Sequence, residues 1–154
     1  MKETTLCYIE QDKKYLMLFR NKKKQDPNEG KWIGIGGKLE PGETPDQCAV
    51  REVKEETGLT LTQFQARGIV YFHSNVWEDE KMYLYTADQF TGELLADCNE
   101  GELQWIPISS VPDLPSWEGD KIFLKMLLSS KKPFELSLYY EGENLIRTSC
   151  NELS

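Results

Sequence analysis

The sequence contains little cysteine and histidine, and those residues are scattered. Its four cysteines stand at positions 7, 48, 98 and 150 with no Cys-x-x-Cys pair, and His73 is the single histidine. This set favours buried thiols in a reducing compartment over a disulfide framework or a zinc site. We therefore expect a cytoplasmic protein.

Long apolar runs and excess positive charge are also missing. No run approaches the roughly 20 residues of a membrane-spanning helix, and the first residues lack the apolar stretch of a secretory signal. There are 18 Lys and Arg against 26 Asp and Glu, a formal net charge of −8. Because that balance opposes non-specific binding to duplex DNA, we expect neither a membrane nor a duplex nucleic acid as partner. We also expect a monomer.

The length and the apolar content suit one domain over residues 1–154. Hydrophobic residues make up 39% of the chain, which can build a core. Patterns of β-prone runs, turn residues and helical spacing predict a mixture of strands and helices, hence an α/β or α+β domain. The predicted strands are Thr4–Glu10 and Tyr15–Arg20 as a hairpin, Gln63–Phe72, Lys81–Thr86, Leu103–Ile106, and Phe134–Tyr140 and Leu145–Cys150 as a closing hairpin. The predicted helices are Pro45–Thr57 and Glu118–Ser130.

Charge is distributed unevenly. Residues 13–38 carry eight basic and two acidic residues, a net +6, which leaves −14 for the rest of the chain. Lys22 to Lys24 followed by turn-forming residues can be a solvated loop. The same segment can form a rim that attracts a small polyanion.

The first helix has strong boundary signals. Thr44 and Gln47 match a capping box, and Pro45 suits the first helical position. Gly58 supplies a left-handed stop.

Three carboxylates share one face of that helix. Glu52, Glu55 and Glu56 fall at i, i+3 and i+4, where like charges repel, and Arg51 is placed to hold Glu55 by an i,i+4 contact. An ordinary acidic solvent face is one interpretation. The other is a site for a hard divalent cation, Mg²⁺ or Mn²⁺, which prefers oxygen ligands.

A longer pattern contains these carboxylates. Gly37 is followed after five residues by Glu43, and after seven more by Arg51-Glu52-Val53-Lys54-Glu55-Glu56-Thr57-Gly58-Leu59. In this the sequence resembles the Nudix hydrolases, whose box it matches at every fixed position. The resemblance implies an α/β/α sandwich with a mixed central sheet. It also implies Mg²⁺-dependent cleavage of a nucleoside diphosphate linked to another group.

The resemblance also implies roles for individual residues. Glu43 and Arg51 would brace the loop-helix-loop, and Glu52 or Glu56 would assist proton transfer. For the carboxylate that joins from a later loop, Glu100 is the better match and Glu102 its rival. The implied metal ligands are the Gly36 carbonyl, Glu52, Glu55, Glu56 and Glu100. The implied catalytic residues are Arg51, Glu52, Glu55, Glu56 and Glu100.

Within the family, the sequence is most similar to the MutT/MutX-like 8-oxo-dGTP diphosphatases. The supporting stretches are residues 30–38, 98–101 and 116–120. The similarity implies that substrate would be bound by Arg20, Gly37, Lys38, Trp117 and Asp120. Trp117 would stack on the oxidised base beside Asp120. The alternative for Trp117 is a core aromatic, and the alternative for Arg20 is a surface arginine without a phosphate-binding role.

Two positions depart from the members that act on oxidised purines. Ile33 replaces a base-reading asparagine, and Gly119 replaces the first of two aspartates. The activity that the resemblance implies is hydrolysis of 8-oxo-dGTP, and also dGTP, to monophosphate and pyrophosphate, which sanitises the nucleotide pool. The alternatives are another Nudix substrate (ADP-ribose, a dinucleoside polyphosphate or an RNA 5′ end) or a non-catalytic nucleotide-sensing module.

Overall fold

The computed structural model describes residues 1–22, 26–96 and 98–152. Lys23 and Lys24 of the predicted basic rim lie outside the described residues. The strands run β1 Lys2–Gln11, β2 Lys14–Arg20, β3 Trp32–Ile33, β4 Ile35–Lys38, β5 Thr60–Ser74, β6 Glu80–Thr91, β7 Gly101–Pro107, β8 Phe134–Glu141 and β9 Asn144–Glu152. The helices are α1 Pro45–Thr57, α2 Glu118–Ser129 and a 3₁₀ helix Ile108–Asp113.

The strands form one mixed sheet. Its order is β3-β2-β1-β6-β5-β8-β9, with β4 also paired to β1 and β7 to β2. The β1–β6 and β5–β8 pairs are parallel, and the other pairs are antiparallel. Strand β1 is therefore central in the sheet, with β2 and β4 on one edge and β6 on the other.

Alternation along β1 separates two hydrophobic cores. Leu6 and Tyr8 belong to the core that includes Phe123 of α2. Cys7 and Ile9, which point to the other face, belong to the core that includes Val53 of α1 and the neighbouring Ala49. Because both faces of the strand are buried, a helix covers each face, and the predicted α/β/α sandwich is confirmed.

Helix α1 begins and ends where the sequence predicts. The Thr44 side chain accepts a hydrogen bond from the Gln47 backbone N–H at 3.2 Å, and the Gln47 side chain accepts one from the Thr44 N–H at 3.0 Å. Gly58 adopts φ 83°, and its N–H donates to the Lys54 carbonyl. Local capping chemistry thus fixes both ends of the helix that carries the box carboxylates.

The predicted first hairpin is shorter than expected. A two-residue turn with positive φ at Asp12 and Lys13 joins β1 and β2, but the strands pair only at Glu10–Tyr15 and Gln11–Lys14. Beyond the turn, β3 pairs with β2 at Leu18 and Phe19, and β4 pairs with β1, while the other edge of β2 pairs with β7 along its whole length. Strand propensity alone does not reveal which strands become neighbours.

The other differences lie at strand ends and at one cysteine. Strands β5 and β6 extend beyond the predicted ranges, with register shifts after Leu61 and Ala66 that a period-two pattern does not show. The four cysteines are free thiols, three of them buried. Cys150 is exposed, so the expectation of buried thiols was wrong there, because β9 is an edge strand with few covered side chains. No helix in the described ranges is both long and apolar enough to cross a bilayer.

Candidate active site

Arg51 ties the box together. Its guanidinium binds Glu43 in a bidentate manner, with Nε to Oε2 at 2.7 Å and Nη2 to Oε1 at 2.9 Å. Nη1 donates to Glu52 at 2.8 Å and to Glu55 at 3.1 Å, and Nη2 donates to the Lys38 carbonyl at 3.1 Å. The Arg51 side chain therefore connects the loop before α1, the end of β4 and two carboxylates of α1.

The pairing shifts the pKa of Glu43 strongly. The hydrogen bond from Arg51, with help from the Glu40 backbone N–H at 3.0 Å, lowers the pKa of Glu43 to about 2. Contact with Glu43 in turn raises the pKa of Arg51. Both groups are charged at any physiological pH, which suits the bracing role that the family resemblance implies.

Glu56 is the buried carboxyl of the site. Its side chain is 6% exposed, and its Oε2 atom has no hydrogen-bond partner among the described residues. Burial, together with the neighbouring Glu52 and Glu100, raises the pKa of Glu56 to about 9, against the opposing effects of Arg20 and the Gly36 backbone. A carboxyl in this setting is stable only with a proton or beside a cation.

Glu52 lies against the glycine segment of β4. A Cβ atom at Gly37 would sit 2.5–2.7 Å from the Glu52 carboxylate, so only glycine leaves room for it. Burial, reinforced by Glu55 and Glu100, raises the pKa of Glu52, whereas Arg51 lowers it. Glu55 is by contrast well exposed, at 58% of its side chain.

Glu100 joins the site from the connection before β7. Its carboxylate is close enough to Glu52 and Glu56 to raise the pKa of both, and it forms an ion pair with Arg20 at 2.7 Å. Arg20 also binds Asp26 at 2.9 Å. Glu102 is exposed on β7, so the structure favours Glu100 over its rival.

The donor set fits a hard divalent cation in its chemistry. The converging groups are carboxylates, the unpartnered Glu56 Oε2 is buried, and the pKa values of Glu52 and Glu56 are raised, as expected where positive charge is needed. In the described ranges no three acidic, histidine or cysteine side chains are already gathered at metal-binding spacing. Arg51 forms an ion pair with Glu52, and Arg20 forms one with Glu100.

A cleft on the α2 face of the sheet adjoins these carboxylates. Its walls include all five predicted substrate-binding residues and one predicted metal ligand, namely Arg20, Gly36, Gly37, Lys38, Trp117 and Asp120. The structure thus brings the predicted phosphate-binding and base-binding residues into one cavity. The glycine segment of β4 separates that cavity from the α1 carboxylates.

Trp117 packs on the core and also lines the cleft, so the two interpretations of this residue are compatible. Its Nε1 donates to Asn28 Oδ1 at 2.9 Å, and its ring meets the Tyr140 ring edge-on with centroids 5.0 Å apart. The Lys31 ammonium lies 4.4 Å from the ring centroid and pairs with Glu143.

Asp120 is a buried carboxyl in the cleft. It is 5% exposed, and burial together with Glu80 raises its pKa to about 8, against the opposing effect of Lys31. Glu80 accepts a hydrogen bond from Thr4 Oγ1 at 2.6 Å. At neutral pH Asp120 is therefore mostly protonated and can donate a hydrogen bond to a ligand.

Sequence reasoning missed several cleft residues. Phe72, Trp77, Glu80 and Met82 line the cavity from β5, β6 and the loop between them. Phe72 and Glu80 are cross-strand partners, and Val70 faces Met82. Strand alternation could have placed Glu80 and Met82 on one face, but nothing local marks that face as a binding surface.

The basic residues of segment 13–38 differ in their surroundings, so neither the solvated loop nor the rim that attracts a polyanion describes all of them. Arg20 and Lys31 are in ion pairs, and the Lys22 ammonium donates to the Cys98 carbonyl at 2.7 Å. Lys38 is exposed at the cleft. Three of the six described basic residues of the segment therefore fasten the loops around the site, and the other three, Lys13, Lys14 and Lys38, are exposed.

The chain matches known proteins along most of its length. Residues 2–127 match the NUDIX domain model. The chain is 30% identical over 135 residues to the uncharacterized Nudix hydrolase YvcI of Bacillus subtilis, covering 85% of this chain and 82% of that protein. It is 35% identical over 126 residues to the oxidized purine nucleoside triphosphate hydrolase of Danio rerio, covering 80% and 79%. A crystal structure of a MutT protein from Bacillus halodurans superposes with a TM-score of 0.86 at 27% identity, covering 98% of each chain.

The chain belongs to the Nudix family, and within it to the MutT-like hydrolases. It is an enzyme of that class, and its sandwich is the Nudix fold. Nudix hydrolases generally use divalent metal ions.

Proposed function

We propose that this enzyme is a Mg²⁺-dependent nucleoside triphosphate pyrophosphohydrolase that converts 8-oxo-dGTP, and also dGTP, to the monophosphate and pyrophosphate. The observation that carries the proposal is the buried, unpartnered Glu56 carboxyl beside Gly36, a residue that also lines the cleft containing Trp117 and Asp120. The name of the Danio rerio relative supports an oxidised purine as substrate. Acting in the cytoplasm as a monomeric domain over residues 1–154, the enzyme would remove damaged nucleotides before DNA repair is needed.

The carboxylates would hold the ion. Mn²⁺ would substitute for Mg²⁺ because both accept an oxygen ligand set. The bound ion supplies charge stabilisation at the phosphate chain and lowers the pKa of a bound water. The proposed ligands are the Gly36 carbonyl, Glu52, Glu55, Glu56 and Glu100.

The chain's own groups would do the remaining work. Burial raises the pKa of Glu52 and of Glu56, and a bound cation would keep both carboxyls ionised, so that either could accept a proton from the attacking water. Arg51 keeps Glu52 oriented, and Arg20 and Lys38 present cations to the phosphates. Gly37 leaves room for the Glu52 carboxylate beside the cleft.

At the other end of the cleft the base would meet Trp117 and Asp120. Stacking on an indole supplies affinity that tolerates different bases. The protonated Asp120 carboxyl can donate to an oxygen or nitrogen acceptor on the base edge.

Product analysis on a nucleotide panel tests the proposal. With Mg²⁺, we expect pyrophosphate release from 8-oxo-dGTP and dGTP, with little turnover of ADP-ribose, a dinucleoside tetraphosphate or a triphosphorylated RNA 5′ end. Glu52→Gln should lower kcat ~100-fold or more while the circular dichroism spectrum is unchanged, because it removes a ligand charge. Glu102→Gln is the matched control, since Glu102 is an exposed carboxylate outside the cluster, and it should retain wild-type kcat.

Three outcomes would contradict parts of the proposal. Unchanged kcat in the Glu52→Gln variant would refute the catalytic assignment. A preference of the enzyme for ADP-ribose or RNA would show that the proposed substrate, 8-oxo-dGTP, is wrong. Nucleotide binding without turnover would identify a sensing module.

A further inference from the structure

The β5–β6 connection places an unassigned tryptophan at the cleft. Trp77 lines the same cavity as Trp117, yet 39% of its surface stays exposed. Across residues 1–22, 26–96 and 98–152, no aromatic ring or cation packs on the Trp77 indole, and no acceptor binds its Nε1. An exposed indole at a binding cavity offers both apolar area and a π-face.

The loop holds Trp77 in a defined position. Ser74 Oγ accepts hydrogen bonds from the backbone N–H groups of Val76 and Trp77, each at 3.0 Å. The Asp79 carboxylate accepts the Ser74 N–H at 3.3 Å and contacts His73 Nδ1 at 3.0 Å. The turn is thus fixed from both ends, which reduces the entropy cost of presenting the indole to a ligand.

A chain of contacts links this loop to Trp117. Asn75 Oδ1 accepts the Gly142 N–H from the β8–β9 turn at 2.8 Å. The next residue in that turn, Glu143, pairs with Lys31, whose ammonium lies over the Trp117 ring. The segments that carry the two tryptophans are therefore linked through the β8–β9 turn.

The two indoles differ in what already surrounds them. Trp117 donates to Asn28, meets Tyr140 edge-on and carries Lys31 against its ring. Trp77 has none of these partners within the described part of the chain. It is consequently the aromatic side chain of the cleft with most surface left for a ligand.

We propose that Trp77 stacks on the purine ring of the bound nucleotide and forms a second aromatic wall of the base subsite. The inference rests on the proposed function only in requiring a purine nucleotide in the cleft. Because stacking is tolerant of base identity, Trp77 contributes affinity for oxidised and normal purines alike. The choice between them then belongs to hydrogen-bonding groups such as Asp120.

Calorimetric titration with the products 8-oxo-dGMP and dGMP tests the role without relying on turnover. Trp77→Ala should raise both Kd values about 5- to 150-fold, the effect of losing one base–aromatic stack. Trp77→Phe keeps a ring and should lose much less. Val76→Ala is the matched control, because Val76 is a 61% exposed neighbour in the same turn that does not line the cleft; it should bind like the wild type.

Inorganic pyrophosphate, which has no base, separates stacking from a general loss of structure. We expect Trp77→Ala to bind pyrophosphate as the wild type does. If Trp77→Ala binds 8-oxo-dGMP and dGMP as tightly as Val76→Ala does, the proposed role of Trp77 is overturned. In that case hydrolysis of 8-oxo-dGTP by the wild-type enzyme would leave the proposed function intact. Equal loss of pyrophosphate and nucleotide binding would also overturn the role of Trp77. A wild-type protein that binds no purine nucleotide would overturn both proposals.

Discussion

Two adjacent glycines in β4 are required for different reasons. A Cβ atom at Gly36 would lie 1.8 Å from the Thr5 carbonyl oxygen, which is backbone that cannot move without breaking the β1–β4 pairing. A Cβ atom at Gly37 would meet only the end of the Glu52 side chain. The first glycine therefore serves the sheet, and the second serves the site.

Alanine substitutions should separate these two roles. Gly37→Ala should displace the Glu52 carboxylate and lower kcat ~10- to 100-fold, as loss of a metal-ligand position does, with a free energy of unfolding within ~1 kcal/mol of wild type. Gly36→Ala should lower the free energy of unfolding by several kcal/mol, on the order of the larger overpacking effects. Urea unfolding and steady-state kinetics on both variants provide the measurements. Equal stability losses in the two variants would contradict the distinction.

At the scale of the element, α1 works together with the loop before it. Its start depends on Thr44 and Gln47, whereas its link to the loop depends on the bidentate pair of Arg51 and Glu43. The capping contacts stabilise the helix without touching the carboxylates. The Arg51 contacts stabilise the link to the loop and also hold a box carboxylate, because the guanidinium that binds Glu43 also binds Glu52.

Thr44→Ala and Arg51→Lys should therefore have different effects. Thr44→Ala should cost ~1 kcal/mol of stability, the usual value for a lost N-cap, with kcat unchanged at a temperature where the protein is folded. Arg51→Lys cannot keep the forked contact and should lower kcat ~10- to 100-fold as well as stability. Thermal unfolding and kcat measured on both variants check this. A Thr44→Ala variant that lost activity in the folded state would show that capping also positions the site.

At the scale of the whole molecule, the buried carboxyl Asp120 links stability to pH. The folded protein raises its pKa to about 8, whereas an unfolded aspartate titrates near 4. Between those values the folded state binds the extra proton, so the free energy of unfolding falls as pH rises through this range. Above pH 8 the contribution is fully lost.

Asp120→Asn should remove this dependence. Between pH 5 and 8, with a chelator present, we expect the stability of the wild type relative to Asp120→Asn to fall by ~1 kcal/mol per pH unit. Glu56 also lowers the free energy of unfolding as pH rises, but it is present in both the wild type and Asp120→Asn, so its contribution cancels in the comparison. Asp113→Asn, which removes an exposed carboxyl outside the cleft, is the control and should keep the wild-type slope in urea unfolding. Parallel slopes for wild type and Asp120→Asn would contradict the raised pKa.

The parts that the sequence predicted well are those with local causes. The limits of α1 follow from Thr44, Pro45 and Gly58, the strand and helix patterns predicted a mixed α/β or α+β domain, and the family resemblance implied the sandwich. The box spacing placed Glu52 and Glu56 on one helix face. Their burial and the direction of their pKa shifts follow from that face lying against β4 and Glu100.

The parts that were missed depend on distant residues. The β1–β2 pairing is short because β4 and β3 pair with these strands beyond the turn. Trp77 is unremarkable in the sequence because its neighbours in space, rather than along the chain, form a cavity. The metal-ligand roles of the carboxylates and the base-binding roles of Trp117 and Asp120 stay predictions.

The closing hairpin has a consequence for how such enzymes diversify. The NUDIX match ends at residue 127, yet Tyr140 and Gly142 line the cavity and Gly142 supports the Trp77 loop. The box carboxylates and part of the cavity wall therefore occupy separate stretches of the chain. Changes confined to the last two strands can reshape what the cavity admits while the box keeps its sequence.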